Sequence, residues 1–96
     1  MLFVFAGCAV EPWATDSERR AYGKLVENSR TYRLARAASP RKVIWYVEQA
    51  GEYPQIYVGF DMGTHSAREA TLRIRDGVVE RLVDRGDDDF SWVVDE

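Results

Sequence analysis

Cysteine and histidine are scarce in this chain of 96 residues, which contains one of each. The single cysteine, Cys8, excludes an internal disulfide and a metal centre built on several cysteines. A nucleophile–His–carboxylate triad would require His65 beside a serine or cysteine, and Ser66 would point to the opposite face of a strand. The sequence also lacks a glycine-rich phosphate loop followed by a helix. It therefore predicts a protein that is not an enzyme and that uses no metal and no cofactor.

The chain also has no strong net charge of either sign. The formal net charge of −3 is too small to indicate a partner of opposite charge, and nothing supports nucleic-acid binding. The apolar fraction of 46% is ordinary for a globular protein, and a chain of this length can bury one modest core. Residues 30–42 are the exception, because they hold five basic side chains and no acidic one. This basic segment either compensates the acidic region that follows it or forms a binding stripe.

The first ten residues carry no charge and are mostly apolar. Such a segment is too short to span a bilayer. Its Phe5-Ala6-Gly7-Cys8 portion resembles the lipobox of bacterial lipoproteins, which implies that Cys8 is a lipid attachment site. Residues 1–14 would then be a lipobox-like N-terminus and tether, and the protein would belong to the cell envelope, either lipid-anchored or periplasmic or extracellular. Alternatively, the segment is a short strand with a buried cysteine, and the protein is cytoplasmic if Met1 is the true start.

Residues 15–38 show the pattern of a helix that is interrupted once. Thr15 and Glu18 have the spacing of a capping box, in which each side chain satisfies a backbone N–H group at the start of a helix. Apolar residues then recur at helical spacing as far as Asn28-Ser29, and they resume from Tyr32. Pro40 ends the pattern because it disfavours a helical conformation in the residue before it. We expect two short helices or one broken helix.

From Lys42 onward the apolar period changes from helical to two, which is typical of strands. Strand-like runs cover 43–47, 56–60, 64–75 and 90–94, and a further run follows Asp76-Gly77. Residues 86–89 are predicted to form a solvated acidic loop. The sequence therefore predicts a single α+β domain over 15–96, in which one broken N-terminal helix packs on a four- or five-stranded antiparallel sheet.

The third strand and the turn after it carry the most detailed predictions. Strict alternation places Ala70 on the core face, and it places Ala67 and Glu69 on the opposite face. Asp76-Gly77 is a strong signal for a two-residue hairpin turn with positive φ at both residues.

A turn of this kind pairs Ile74 with Val79 on the core face. It also pairs Arg73 with Glu80, two opposite charges that we expect on a solvated face.

The stretch Tyr57-Val58-Gly59-Phe60-Asp61-Met62-Gly63-Thr64-His65-Ser66-Ala67-Arg68-Glu69-Ala70-Thr71-Leu72-Arg73-Ile74 resembles a pattern found in small bacterial lipoproteins and secreted proteins. In that pattern, a Tyr-x-Val-Gly strand leads through a turn to Thr-His-Ser/Thr-x-Arg, then to Ala-Thr and a strand that alternates apolar and basic residues. The sequence departs from the pattern at Leu72, where Phe is usual, and at Glu69, where an aromatic residue is usual. The resemblance implies a helix packed on a curved antiparallel sheet, broadly like cystatins or PepSY-type domains, and it implies no activity. Within this stretch the candidate binding residues are Tyr57, Asp61, Thr64, His65 and Arg68.

Three functions are compatible with these features. The first is a non-enzymatic accessory module of the bacterial cell envelope that binds an unknown protein or small ligand and meets the membrane only through a lipid anchor. The second is a small inhibitor or immunity protein that blocks a partner enzyme. The third is a hydrolase or metal-binding protein centred on His65, with Asp61 or Glu69 as its partner. A concave, aromatic-lined sheet face would favour the first function, and a rigid protruding loop would favour the second. A pocket that joins His65 to Asp61 or Glu69 and to a nucleophile would favour the third.

Overall fold

A computed structural model describes residues 14–38, 41–50, 52–64 and 66–95. Over these ranges the chain forms two helices followed by five strands: α1 (Asp16–Glu27), α2 (Arg30–Ala38), β1 (Val43–Ala50), β2 (Pro54–Asp61), β3 (Ser66–Arg75), β4 (Val78–Asp84) and β5 (Phe90–Val94). The strands form one antiparallel sheet in the order β1-β2-β3-β4-β5. Both helices pack on one face of this sheet, which confirms the predicted α+β fold. Cys8 and His65 lie outside the described residues.

Helix α1 begins at the predicted capping box. The Thr15 hydroxyl accepts the Glu18 N–H at 3.1 Å, and the Glu18 carboxylate accepts the Thr15 N–H at 2.8 Å. Two backbone donors that a helix start leaves without partners are satisfied in this way. The predicted interruption at Asn28-Ser29 separates two helices, because the Ser29 hydroxyl accepts the Tyr32 N–H at 3.2 Å and so caps a new helix.

The last strand of the sheet is tied back to the start of α2. Asp95, directly after β5, accepts hydrogen bonds from the Thr31 N–H at 2.9 Å and from the Thr31 hydroxyl at 2.7 Å. The Asp95 N–H in turn donates to the carbonyl of Val79 at 2.9 Å. These bonds hold the second helix against the far end of the sheet.

The core lies between the two helices and the sheet. Its largest fully buried side chain is Trp45 of β1, which packs with Val26 of α1, Ile56 and Val58 of β2 and Leu72 of β3. Full burial of each aliphatic side chain of this size contributes about 1.5–3 kcal/mol to folding. The core therefore consists of the helix residues that face the sheet and of every second residue along the central strands.

The hairpin between β3 and β4 has the predicted register. Asp76 and Gly77 both have positive φ, at 53° and 78°, and Ile74 pairs with Val79 and Arg73 with Glu80. The expectation that Glu80 is solvated is wrong, because its side chain is only 8% exposed.

A β-bulge changes the faces of the third strand. Val58 pairs with Ala70, but the next residue, Gly59, pairs with Arg68, so β3 contains one extra residue, Glu69, at this point. The bulge reverses the alternation from there toward the start of the strand. The predicted position of Ala67 and Glu69 is therefore wrong, since Ala67 pairs with the core-packed Phe60, and Glu69 lines a cleft beneath α2.

The bulge depends on a close approach that only glycine permits. A Cβ atom on Gly59 would lie 3.2 Å from the Cα of Arg68 and still closer to the carbonyl group of Ala67, which are backbone atoms of the paired strand. Backbone atoms cannot move aside cheaply, so a side chain at this position would force the two strands apart.

Candidate functional site

The face of the sheet turned away from α1 and α2 carries aromatic and arginine side chains, and we refer to it as the helix-free face. Its residues alternate along each strand with the core residues, so they point away from the helices. The described members with aromatic or ionic contacts are Tyr46, Tyr53, Tyr57, Arg68, Arg73, Arg75, Glu80 and Trp92.

The first group on this face joins three strands. Tyr46 of β1 and Tyr57 of β2 are cross-strand partners, and their rings meet edge to face with centroids 5.5 Å apart. The Arg68 guanidinium of β3 lies over the Tyr57 ring, with its central carbon 3.6 Å from the ring centroid. The bulge is the reason for this contact, because it moves Arg68 to the same face as Tyr57. An aromatic pair and a cation over a ring each contribute about 0.5–1.5 kcal/mol.

The second group is centred on Arg73 of the same strand. Its guanidinium lies 4.5 Å from the Trp92 ring centroid and 5.5 Å from that of Tyr53. Arg73 Nε also donates to the Glu80 carboxylate at 2.6 Å, and Arg75 approaches the same carboxylate at 3.6 Å. The burial of Glu80 is offset by these two cations, since an unpaired carboxylate in this position would lose its hydration without compensation.

This arrangement places aromatic rings and guanidinium groups side by side on one surface. The four rings are half-buried, so they present partial faces to solvent and are held in place by their neighbours. A guanidinium that stacks on a ring keeps the N–H groups along its edge for bidentate hydrogen bonds to a carboxylate. On the helix-free face this description applies to Arg68, whereas the Nε of Arg73 is already bonded to Glu80.

Of the four predicted binding residues that the structure describes, two lie together on the helix-free face. Tyr57 and Arg68 are in contact, as described. Asp61 ends β2, about 13 Å along the strand from Tyr57, and its carboxylate accepts the N–H of Gly63 at 2.9 Å. Asp61 therefore supports the β2–β3 turn, and Thr64 is exposed in the same turn. His65 lies outside the described residues.

Sequence reasoning missed Tyr46, Tyr53, Arg73 and Trp92 as site residues. The signal for Tyr46 was present, because it falls between the core residues of the first strand and must face away from them. The contact of Arg73 with Trp92 joins β3 to β5 across β4, and no local pattern reveals a contact of that kind.

The loop between β4 and β5 is held by its own hydrogen bonds. The Arg85 N–H donates to the Asp89 carbonyl at 2.6 Å, and the Asp89 N–H donates to the Gly86 carbonyl at 2.8 Å. The Asp84 carboxylate accepts the Gly86 N–H at 2.8 Å, and Arg85 Nε donates to the Ser91 hydroxyl at 2.9 Å. The loop exposes Asp87, Asp88 and Asp89 to solvent, as the sequence predicted.

Two further observations concern metals and membranes. Within the described residues, no three His, Cys, Asp or Glu side chains come close enough together to hold a metal ion. Neither α1 nor α2 is long and apolar enough to cross a membrane, and they are the helices of the described ranges.

Comparison with known protein families, with curated proteins and with solved structures finds no match to this chain. The geometry of the helix-free face is therefore the strongest indication of what the protein does.

Proposed function

We propose that this protein is a non-enzymatic binding module that recognises a partner through the helix-free face. The stacking of Arg68 on Tyr57 carries this proposal, because a guanidinium held in one orientation on a ring loses little conformational freedom when it binds a carboxylate. Arg73 is held in a comparable way between Trp92 and Glu80. Both arginines are fixed before any partner arrives.

The chemistry of the face supports a proposal about the kind of partner. Arginine edges bind carboxylates, and the exposed parts of the tyrosine and tryptophan rings bind aromatic or apolar groups. We therefore propose a protein or small ligand that presents acidic and aromatic groups side by side. The lipobox-like segment ending at Cys8 supports a place for this module in the bacterial cell envelope, attached to the membrane through a lipid.

A selection from a phage-displayed peptide library tests the proposed recognition. Peptides that bind the immobilised protein should be rich in Asp or Glu next to Trp, Tyr or Phe. Replacement Arg68→Ala should weaken their binding by about tenfold, which corresponds to about 1.4 kcal/mol. The matched control is Arg33→Ala, an exposed arginine of α2, which should bind as the wild type does. Equal affinity of the wild type and Arg68→Ala would contradict the proposed site.

The acidic loop between β4 and β5 favours a second candidate function. Its internal hydrogen bonds hold three carboxylates, Asp87, Asp88 and Asp89, on a fixed backbone. A rigid acidic projection of this kind is complementary in charge to a basic active site, as an inhibitor or immunity protein that blocks such a site would be. Replacing these three residues by Asn would abolish inhibition and leave peptide binding at the helix-free face intact, which separates the two functions.

A further inference from the structure

The outer edge of β5 presents a regular row of backbone hydrogen-bonding groups. Along an antiparallel ladder, residue pairs that exchange two backbone hydrogen bonds alternate with pairs that exchange none. The Asp95 N–H donates to the carbonyl of Val79, so in the β4–β5 register the odd-numbered residues of β5 are bonded to β4. The N–H and carbonyl groups of Phe90, Trp92 and Val94 therefore point away from β4, toward the outside of the sheet.

The part of the chain that the structure describes places no strand beside this edge. β5 is the last strand in the sheet order, and the side chains of Phe90 and Val94 are 53% and 51% exposed. The opposite edge differs, because the Ala14 N–H donates to the carbonyl of Trp45 in β1. Charged residues, prolines and bulges commonly protect sheet edges against pairing, and β5 contains none of them.

The side chains of the same three residues lie on the helix-free face. Trp92 contacts the Arg73 guanidinium there, and Phe90 and Val94 share its side of the strand because they are two positions away. A strand added at this edge would gain backbone hydrogen bonds and would also place every second side chain beside an apolar row. Backbone bonds and alternate side-chain contacts are the two components of recognition by strand addition.

Acidic side chains stand at the beginning of β5. Asp87, Asp88 and Asp89 are exposed, and none of the ion pairs within the described ranges includes them. If an added strand runs antiparallel to β5, the residues that follow its C-terminal end lie beside this acidic group. Basic residues at that end of the partner would match the charge.

The same acidic group argues against a second copy of this chain as the added strand. Two antiparallel β5 strands overlap fully only when Trp92 pairs with its counterpart, which pairs Phe90 with Val94 and Asp89 with Asp95. Each end of the paired strands would then hold two opposed carboxylates. Like charges directly opposite each other destabilise a strand pair.

We propose that the edge of β5 binds an extended segment of a partner protein, which adds antiparallel to β5 as a sixth strand of the sheet. The segment carries apolar residues at alternate positions, opposite Phe90, Trp92 and Val94, and basic residues directly after the last of them. This inference goes beyond the recognition proposed above, because it concerns the backbone edge of the sheet rather than the arginines of the helix-free face.

Fluorescence anisotropy with a labelled synthetic peptide, Val-Thr-Val-Thr-Val-Lys-Lys with blocked ends, tests the proposal. The wild type should bind it, and N-methylation of the central Val should weaken binding by about tenfold or more, because that N–H faces β5. N-methylation of the Thr that follows should change the affinity by about twofold at most, since its N–H points away from β5. Moving both Lys residues to the N-terminal end should weaken binding, because it separates them from the acidic group.

Two variants at one position test the protein side of the contact. Val94→Pro removes an outward N–H, whereas Val94→Ala shortens the same side chain and keeps that N–H. We expect Val94→Pro to lose peptide binding by about tenfold or more and Val94→Ala to lose much less. Circular dichroism establishes that both variants fold, and Phe90→Pro with Phe90→Ala provides a second pair if Val94→Pro unfolds.

Three results would overturn the proposal. The first is that the folded wild type does not bind the peptide, and the second is that the two N-methylated peptides or the two Lys placements bind equally. The third comes from sedimentation velocity: a wild-type dimer that Val94→Pro dissociates would assign the edge to a second copy of this chain. The peptide contains no acidic residue, so its failure to bind would leave the proposed recognition of acidic groups at Arg68 unaffected.

Discussion

Asp95, which directly follows the last strand, caps the start of helix α2. Its carboxylate accepts hydrogen bonds from the N–H and the hydroxyl of Thr31, at 2.9 and 2.7 Å. Its side chain is only 3% exposed, and Arg81 Nε lies 3.5 Å from the same carboxylate. A carboxylate at this position satisfies a backbone donor at the helix start and interacts favourably with the positive end of the helix dipole. This contact couples the last strand to the second helix, so it stabilises the domain as a unit.

Replacement Asp95→Ala should lower the free energy of unfolding by about 1–3 kcal/mol, because Thr31 and Arg81 both lose their partner. Chemical denaturation followed by circular dichroism measures the change. Asp89→Ala is the control, since the Asp89 side chain is exposed and should contribute little. Equal stability of Asp95→Ala and Asp89→Ala would show that the cap does not stabilise the fold.

Gly59→Ala should destabilise the protein by about 1–3 kcal/mol, because the new methyl group collides with backbone atoms of Ala67 and Arg68. Gly23→Ala makes a useful comparison. Its methyl group would lie 3.7 Å from Trp45, an ordinary contact, and alanine favours a helix, so this variant should gain about 0.5–1 kcal/mol. Thermal unfolding should show a lower melting temperature for Gly59→Ala and a higher one for Gly23→Ala. A Gly59→Ala protein as stable as the wild type would contradict the bulge as described.

Gly77→Val should destabilise the β3–β4 hairpin by about 2 kcal/mol, because a β-branched residue resists the positive φ of 78° at this position. Gly77→Asn should cost much less, since asparagine tolerates this conformation. The melting temperatures of the two variants provide the measurement. If Gly77→Val had the same melting temperature as the wild type, the predicted hairpin turn with positive φ at Asp76 and Gly77 would be contradicted.

Several features of the fold could be predicted because they depend on neighbours in sequence. The capping box uses residues three positions apart, and the Asp76-Gly77 turn fixes the pairing of Ile74 with Val79 by its length alone. The resemblance to cystatin-like or PepSY-type domains stays a prediction.

Other features could not be predicted because they depend on contacts between distant segments. The bulge arises where Gly59 meets the backbone of Ala67, and a strict period of two gives no sign of it. The sequence therefore predicts Tyr57 and Arg68 as binding residues, but it does not predict that the Arg68 guanidinium stacks on the Tyr57 ring. The cap on Thr31 comes from a residue 64 positions away, which no local pattern indicates.

Cys8 should be lipidated when the full-length gene is expressed in a bacterium, because small residues precede it and a polar segment follows it. Metabolic labelling with a fatty-acid probe should mark the wild type and leave Cys8→Ser unlabelled. The chain contains no other cysteine, so the two proteins differ at the proposed attachment atom alone. Equal labelling of both proteins, or a wild type found wholly in the cytosol, would reject the lipid anchor and favour the buried-cysteine alternative.

The central claim, that the helix-free face is the binding surface, is tested most directly by an NMR titration of the indole N–H groups. The titrant is an acidic, aromatic peptide from the phage selection. Trp92 lies on the helix-free face beside Arg73, whereas Trp45 is buried beneath α1 with its Nε1 bonded to Glu27. Trp→Phe variants assign the two resonances. We expect the Trp92 indole resonance to shift on binding and the Trp45 resonance to stay in place; a shift of Trp45 with no change in Trp92 would contradict the account.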